Sequence, residues 1–74
     1  MPARILIWNL ADSKTTLAEL RQHLPELPEG DAWISNEVGE RFGLISFGDE
    51  LPDIAGVVEL IGVDPVIGEE FDIE

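Results

Sequence analysis

The chain has no cysteine and a single histidine, and after Arg41 it has no lysine, arginine or histidine at all. Without cysteine neither a disulfide framework nor a thiolate metal site can form, and one imidazole is too little for zinc. The thiol-free composition fits a cytosolic protein. The first apolar run, Ile5 to Trp8, is far shorter than a signal-peptide core or a membrane span, and no charged leader precedes a cleavage pattern, so the sequence reads as soluble and not membrane-bound. There is no glycine-rich phosphate cradle and no serine or threonine paired with a base in a recognisable motif. The carboxylates are abundant, but nothing in their spacing selects a pair for acid and base roles. The expectation is a non-enzyme with no catalytic residue, no metal and no cofactor.

What the chain does have is acid. It carries 16 acidic against 4 basic residues, a formal charge of −12, with nine of the carboxylates beyond Arg41. Such a field repels phosphate and attracts cations or basic protein surfaces. A high-salt cytoplasm or selection for solubility gives the same bias. Apolar residues make up 45% of the sequence, too many for a disordered acidic tail. The 74 residues leave room for one domain, 1–74. A chain of this size buries only about 60% of its unfolded surface, so association with a partner would add useful burial.

Arg4 to Leu10 is rich in isoleucine and leucine and stops at Ala11-Asp12-Ser13, the pattern of a central strand ending in a turn. Asn9 is expected to bond backbone at that strand end. Thr16 and Glu19 stand in capping-box spacing. Leu17, Leu20 and Leu24 then form one helical stripe, closed by Pro25 and Pro28-Glu29-Gly30. Ala32 to Glu37 and Arg41 to Phe47 read as a hairpin through Val38-Gly39-Glu40, with Gly39 supplying positive φ. A second helix is expected with Asp49 and Glu50 at its N-terminus, Pro52 in its first turn, the stripe Leu51, Ile54, Ala55, Val58 and Ile61, and Gly62 at its end. Val63-Asp64-Pro65 turns, Val66 and Ile67 pack against the sheet, and Glu69 to Glu74 forms a last strand with Phe71 and Ile73 facing in. This order gives an α+β fold of the ferredoxin-like βαββαβ type: a four-stranded antiparallel sheet with two helices on one face and the other face open.

Side chains alternate across a strand. Placing Ile5, Ile7, Ile45 and Phe47 against the helices turns Leu6, Trp8, Trp33, Phe42 and Leu44 to the open face, an apolar patch rimmed by Glu37, Glu40, Glu70, Asp72 and Glu74. Soluble monomers rarely leave such an area bare. The opposite phase, with Trp8, Trp33 and Phe42 in the core, is the competing reading. His23 lies on the helix flank and reads as exposed rather than as a ligand. The closing acidic run has no glycine turn and does not match a calcium loop.

The run Ile5-Leu6-Ile7-Trp8-Asn9-Leu10 resembles the first-strand hexapeptide of the RNA-recognition motif, and Glu40-Arg41-Phe42-Gly43-Leu44-Ile45-Ser46-Phe47 resembles its third-strand octapeptide. Thr16 to Leu24 and Gly68 to Ile73 are similar to its first helix and fourth strand. The resemblance implies base stacking at Leu6, Phe42 and Leu44. Only one of these is aromatic, and Glu40 stands where the family has a basic residue. Stacking one base on an aromatic is worth about 1–3 kcal/mol, whereas clustered lysine and arginine, which drive counterion release, are missing: Arg4, Lys14, Arg21 and Arg41 are scattered. The sequence therefore favours a protein partner, either a basic protein or a second copy forming a homodimer, with nucleic-acid mimicry or inhibition as one form. Binding of single-stranded RNA is the alternative.

Overall fold

The computed structural model describes residues 2–48 and 50–74, so the expected role of Asp49 at a helix start lies outside the described residues. The elements run β1 (Pro2–Asn9), a 3-10 turn (Leu10–Asp12), α1 (Leu17–Arg21), β2 (Ala32–Asn36), β3 (Arg41–Phe47), α2 (Ala55–Ile61) and β4 (Ile67–Asp72). The strands form one antiparallel sheet in the order β2-β3-β1-β4. This is the small α+β architecture expected, with β1 and β3 central and β2 and β4 at the edges.

The isoleucine-rich β1 is paired on both sides, as its apolar character requires. It ends at Asn9, whose Oδ1 accepts from Ala11 N at 3.2 Å, the backbone-bonding role read from the sequence. Leu10 begins the 3-10 turn and is buried. Thr16 caps α1 by accepting from Glu19 N at 3.2 Å. The reciprocal half of the capping box is diverted, because the Glu19 carboxylate accepts instead from Thr15 Oγ1 at 3.0 Å. Leu20 is fully buried and Leu17 packs beside it, but the helix ends at Arg21, so Leu24 reaches the core from the segment after the helix rather than as part of its stripe.

Two local expectations are corrected in the hairpin and in α2. Positive φ falls on Glu40 (φ 52°), not on Gly39, and the Glu40 carbonyl accepts from Leu10 N at 2.7 Å, tying the hairpin to the end of β1. Gly39 N donates to Asn36 Oδ1 at 3.0 Å. The second helix starts at Ala55, whose N donates to Asp53 Oδ1 at 3.2 Å, so Leu51 and Pro52 precede it. Its buried positions are Ile54, Val57 and Ile61, while Ala55 and Val58 face solvent. Gly62 closes it as expected, in the left-handed region at φ 75° with its N donating to Val58 O. The last strand covers Ile67–Asp72 rather than continuing to the C-terminus. All of it is exposed, and Phe71 and Ile73 do not face in.

One core cluster joins both helices to one side of the sheet: Trp8, Leu10, Leu20, Phe42, Leu44, Ile54, Val57 and Ile61 are buried in it, with Leu6 and Trp33 packed against them. Asp31 anchors the start of β2 to the end of β3. Its Oδ2 accepts from the buried Ser46 Oγ at 3.0 Å and its Oδ1 from Phe47 N at 2.9 Å. Among the described residues, no helix is long and apolar enough to cross a membrane.

Candidate functional site: the uncovered side of the sheet

Strand register fixes which side chains share a side. Trp8 pairs with Phe42, Leu6 with Leu44, and Leu44 in turn with Trp33, so these five residues stand on one side of the sheet. That is the grouping read from the sequence, but the side is the helix-covered one. Trp8 is 1% exposed, Phe42 2% and Leu44 0%, and Leu6 and Trp33 are partly buried against the same cluster. The Trp33 ring stacks on Phe42 with centroids 5.3 Å apart, and Trp8 lies tilted to Phe42 at 6.4 Å. The expected binding face of Leu6, Trp8, Trp33, Phe42 and Leu44 is therefore core, and the base-stacking positions implied by the family resemblance lie beneath the helices.

The physical reason is volume. Both phases of β1 are apolar, Leu6 and Trp8 on one side, Ile5 and Ile7 on the other, so alternation alone does not choose between them. Full burial is available only where a second layer exists, and the side chains with the most apolar area, Trp8 and Phe42, are stabilised most by taking it. The two tryptophans were the signal that could have set the phase, since Phe42 and Phe47 are equal in size and lie on opposite sides.

The acidic rim is rearranged accordingly. Glu70 pairs in register with Arg4, Asp72 with Pro2, and Gly68 with Leu6, which places Glu70 and Asp72 on the helix side. The Glu70 carboxylate lies 3.9 Å from the Arg4 guanidinium. Glu37 receives Arg21 at 2.9 Å in an exposed ion pair beside α1. Glu40 sits in the hairpin turn, and Glu74 lies past the end of β4. They do not ring a common surface. His23 is exposed, as expected.

What sequence reasoning assigned to the core is the uncovered side. Three cross-strand rows build it. Phe47, Ala3 and Phe71 form one, and Ala32, Ile45, Ile5 and Glu69 the next. Ile34, Gly43, Ile7 and Ile67 form the third. Phe47 is 40% exposed, Ile67 43% and Phe71 46%, and the four inner isoleucines are half-buried only by their neighbours. Gly43 is required at its position: a Cβ there would meet the Leu6 carbonyl oxygen and come within 2.6 Å of Ile7 Cδ1 and 3.3 Å of Ile34 Cγ1. The result is a depression lined by Ile7, Ile34, Gly43 and Ile67, with Arg41 at its end.

Within the strands this side carries one cation, Arg41, and one carboxylate, Glu69. It presents apolar surface with no nucleophile or acid–base pair, so what it can do is exclude water against another apolar surface. Among the described residues, no three of histidine, aspartate and glutamate converge as a metal-binding set. The chain matches no protein-family model, and no curated protein is similar to it.

Proposed function

We propose that the protein is a small, non-catalytic interaction module of the cytosol that docks on a protein through the uncovered side of its sheet. The carrying observation is the isoleucine and phenylalanine surface of Ile5, Ile7, Ile34, Ile45, Phe47 and Ile67, contiguous across the sheet and without a covering layer. A contiguous apolar area of this kind costs free energy in water and is stabilised by burial against a partner. The strand order, with one helix after β1 and one after β3, supports a ferredoxin-like reading of the fold. The net charge of −12 favours protein over nucleic acid as the occupant.

The test is capture on the immobilised chain from native cytosol, with Phe47→Glu on the uncovered side and Val58→Glu on α2 compared with the wild type. A protein held by wild type and Val58→Glu and lost by Phe47→Glu is the expected result. Capture that both variants preserve would sink the reading. Short oligonucleotides run in parallel separate the alternative: quenching of tryptophan fluorescence at low salt would favour RNA.

A further inference from the structure

We infer that the occupant of the uncovered side is a second copy of this chain, packed face to face as a two-sheet sandwich. The inference rests on the reading above and names its partner.

Charge is the first argument. Alternation leaves Arg41 and Glu69 as the strand charges on this side, one of each sign, while the other carboxylates among the described residues lie on helices, in loops, in turns, past the last strand or on the helix side of β4. A basic partner would be drawn to those carboxylates and away from the isoleucines. A second copy brings the same near-neutral apolar chemistry the surface itself has. Packed sheets lie about 10 Å apart, and each helix layer adds about 10 Å, so the helix carboxylates Glu19 and Glu59 of one copy stand roughly 30 Å from those of the other, several times the Debye length of about 8 Å. Carboxylates nearer the sheet repel across the contact at low salt, and that part of the charge of −12 per chain is screened as salt rises.

Relief is the second argument. A two-fold axis parallel to the strands and between β1 and β3 sets each β3 residue over the β1 residue of the same row in the other copy. Phe47 then lies over Ala3 and Ile7 over Gly43, large against small, with Ile45 over Ile5. At the edges Ile34 meets Ile67, and Glu69, exposed on the edge strand β4, lies at the rim beside Ala32 rather than against another Glu69. Two of these contacts thus set a large side chain against a small one, and no charge meets its like.

Area is the third. Four strands about 4.8 Å apart and five residues at about 3.4 Å give a flat face of roughly 320 Å² per copy. That lies under the roughly 800 Å² per partner of standard interfaces, so the dimer is reversible and concentration-dependent.

Sedimentation equilibrium of the full chain from low micromolar to sub-millimolar concentration decides it. The expected result is a mass rising from one chain toward two, undiminished at high salt. Ile7→Glu and Phe47→Glu should each weaken self-association more than about a hundredfold, because each buries a charge without a counter-charge. Both should keep the far-UV circular dichroism of the wild type, and Val58→Glu should associate normally. Phe47→Glu, at an exposed strand end, keeps the test open if Ile7→Glu does not fold. Because the chain has no cysteine, an oxidised mixture of Ile5→Cys and Ile45→Cys chains should crosslink several-fold more than either alone. Equal yields would overturn the axis. A wild type that stays monomeric throughout, a dimer indifferent to both glutamate variants, or a dimer dissolved by salt would each overturn the inference. If the wild type is monomeric yet captures a protein that Phe47→Glu loses, only the second copy falls; if nothing is captured, the docking reading falls with it.

Discussion

The two sides of this sheet are both apolar, yet one is sealed and one is bare. On the helix side, Trp8, Phe42 and Leu44 are at most 2% exposed. On the other, Phe47 and Ile67 remain 40% and 43% exposed, and small residues, Ala3 and Gly43, alternate with large ones. Apolarity does not decide which side the helices cover. The covered side holds both tryptophans and Phe42, with Trp33 stacked on Phe42, and the bare side holds β-branched residues with Phe47 and Phe71 at one end, which stabilise a strand by packing on their same-face neighbours even without a second layer. One side makes the fold; the other is the side proposed for association.

The sharpest way to break that contrast is Phe42→Ala. Truncating a fully buried aromatic costs about 3–5 kcal/mol, and a domain of 74 residues has roughly 4–11 kcal/mol in all. The cooperative urea transition followed by circular dichroism should be nearly or wholly lost. A shift worth under about 1 kcal/mol would mean that the stacked aromatics are not the centre of the core.

Gly43→Ala comes next, because it stresses both sides at once. The added methyl would press on the Leu6 carbonyl and on Ile7 Cδ1, 2.6 Å away, and both belong to the neighbouring central strand. Overpacking of this kind costs about 1–3 kcal/mol. Amide exchange at Leu6 and Ile7 should quicken relative to the rest of β1, which a general loss of stability would not produce.

Much of this was legible in the sequence, and the failure has one source. The Thr16 cap, the Leu17 and Leu20 positions of α1 and the Gly62 terminus follow from local chemistry that tertiary structure had no reason to override. The grouping was also legible, since Leu6, Trp8, Phe42 and Leu44 do share a side. What alternation could not supply was the phase, because neither set of β1 side chains is polar enough to be excluded from the core. The start of α2 was missed for a related reason. Leu51, Ile54, Ala55, Val58 and Ile61 are spaced as a stripe, but the helix begins at Ala55 with Ile54 as its N-cap, and the buried set becomes Ile54, Val57 and Ile61.

A smaller effect probes the seam between the two sides. Asp31 accepts from the fully buried Ser46 hydroxyl and from Phe47 N, so Asp31→Ala strands a buried donor, at about 1 kcal/mol or somewhat more. Ser46→Ala removes the donor itself and should cost less, and the double variant should cost less than the sum of the two. Additive losses in urea melts would show that the hydroxyl is not what Asp31 serves.

The smallest expected effect on the isolated fold is also the most informative about the bare side. Ile67 is 43% exposed at the start of an edge strand, so Ile67→Ala removes only part of the roughly 1.5–3 kcal/mol that a fully buried isoleucine supplies, about 1 kcal/mol in the monomer. At low concentration its thermal midpoint should lie slightly below the wild type. At high concentration the two should diverge, because the proposed association would raise the stability of the native chain by mass action, and the variant would lack the contact proposed between Ile67 and Ile34 of a second copy. A wild-type midpoint that climbs with concentration while the variant's climbs less marks the bare side as an interface. Two midpoints that stay parallel and flat would mark Ile67 as ordinary surface and leave the isoleucine rows as no more than the outer half of a sheet.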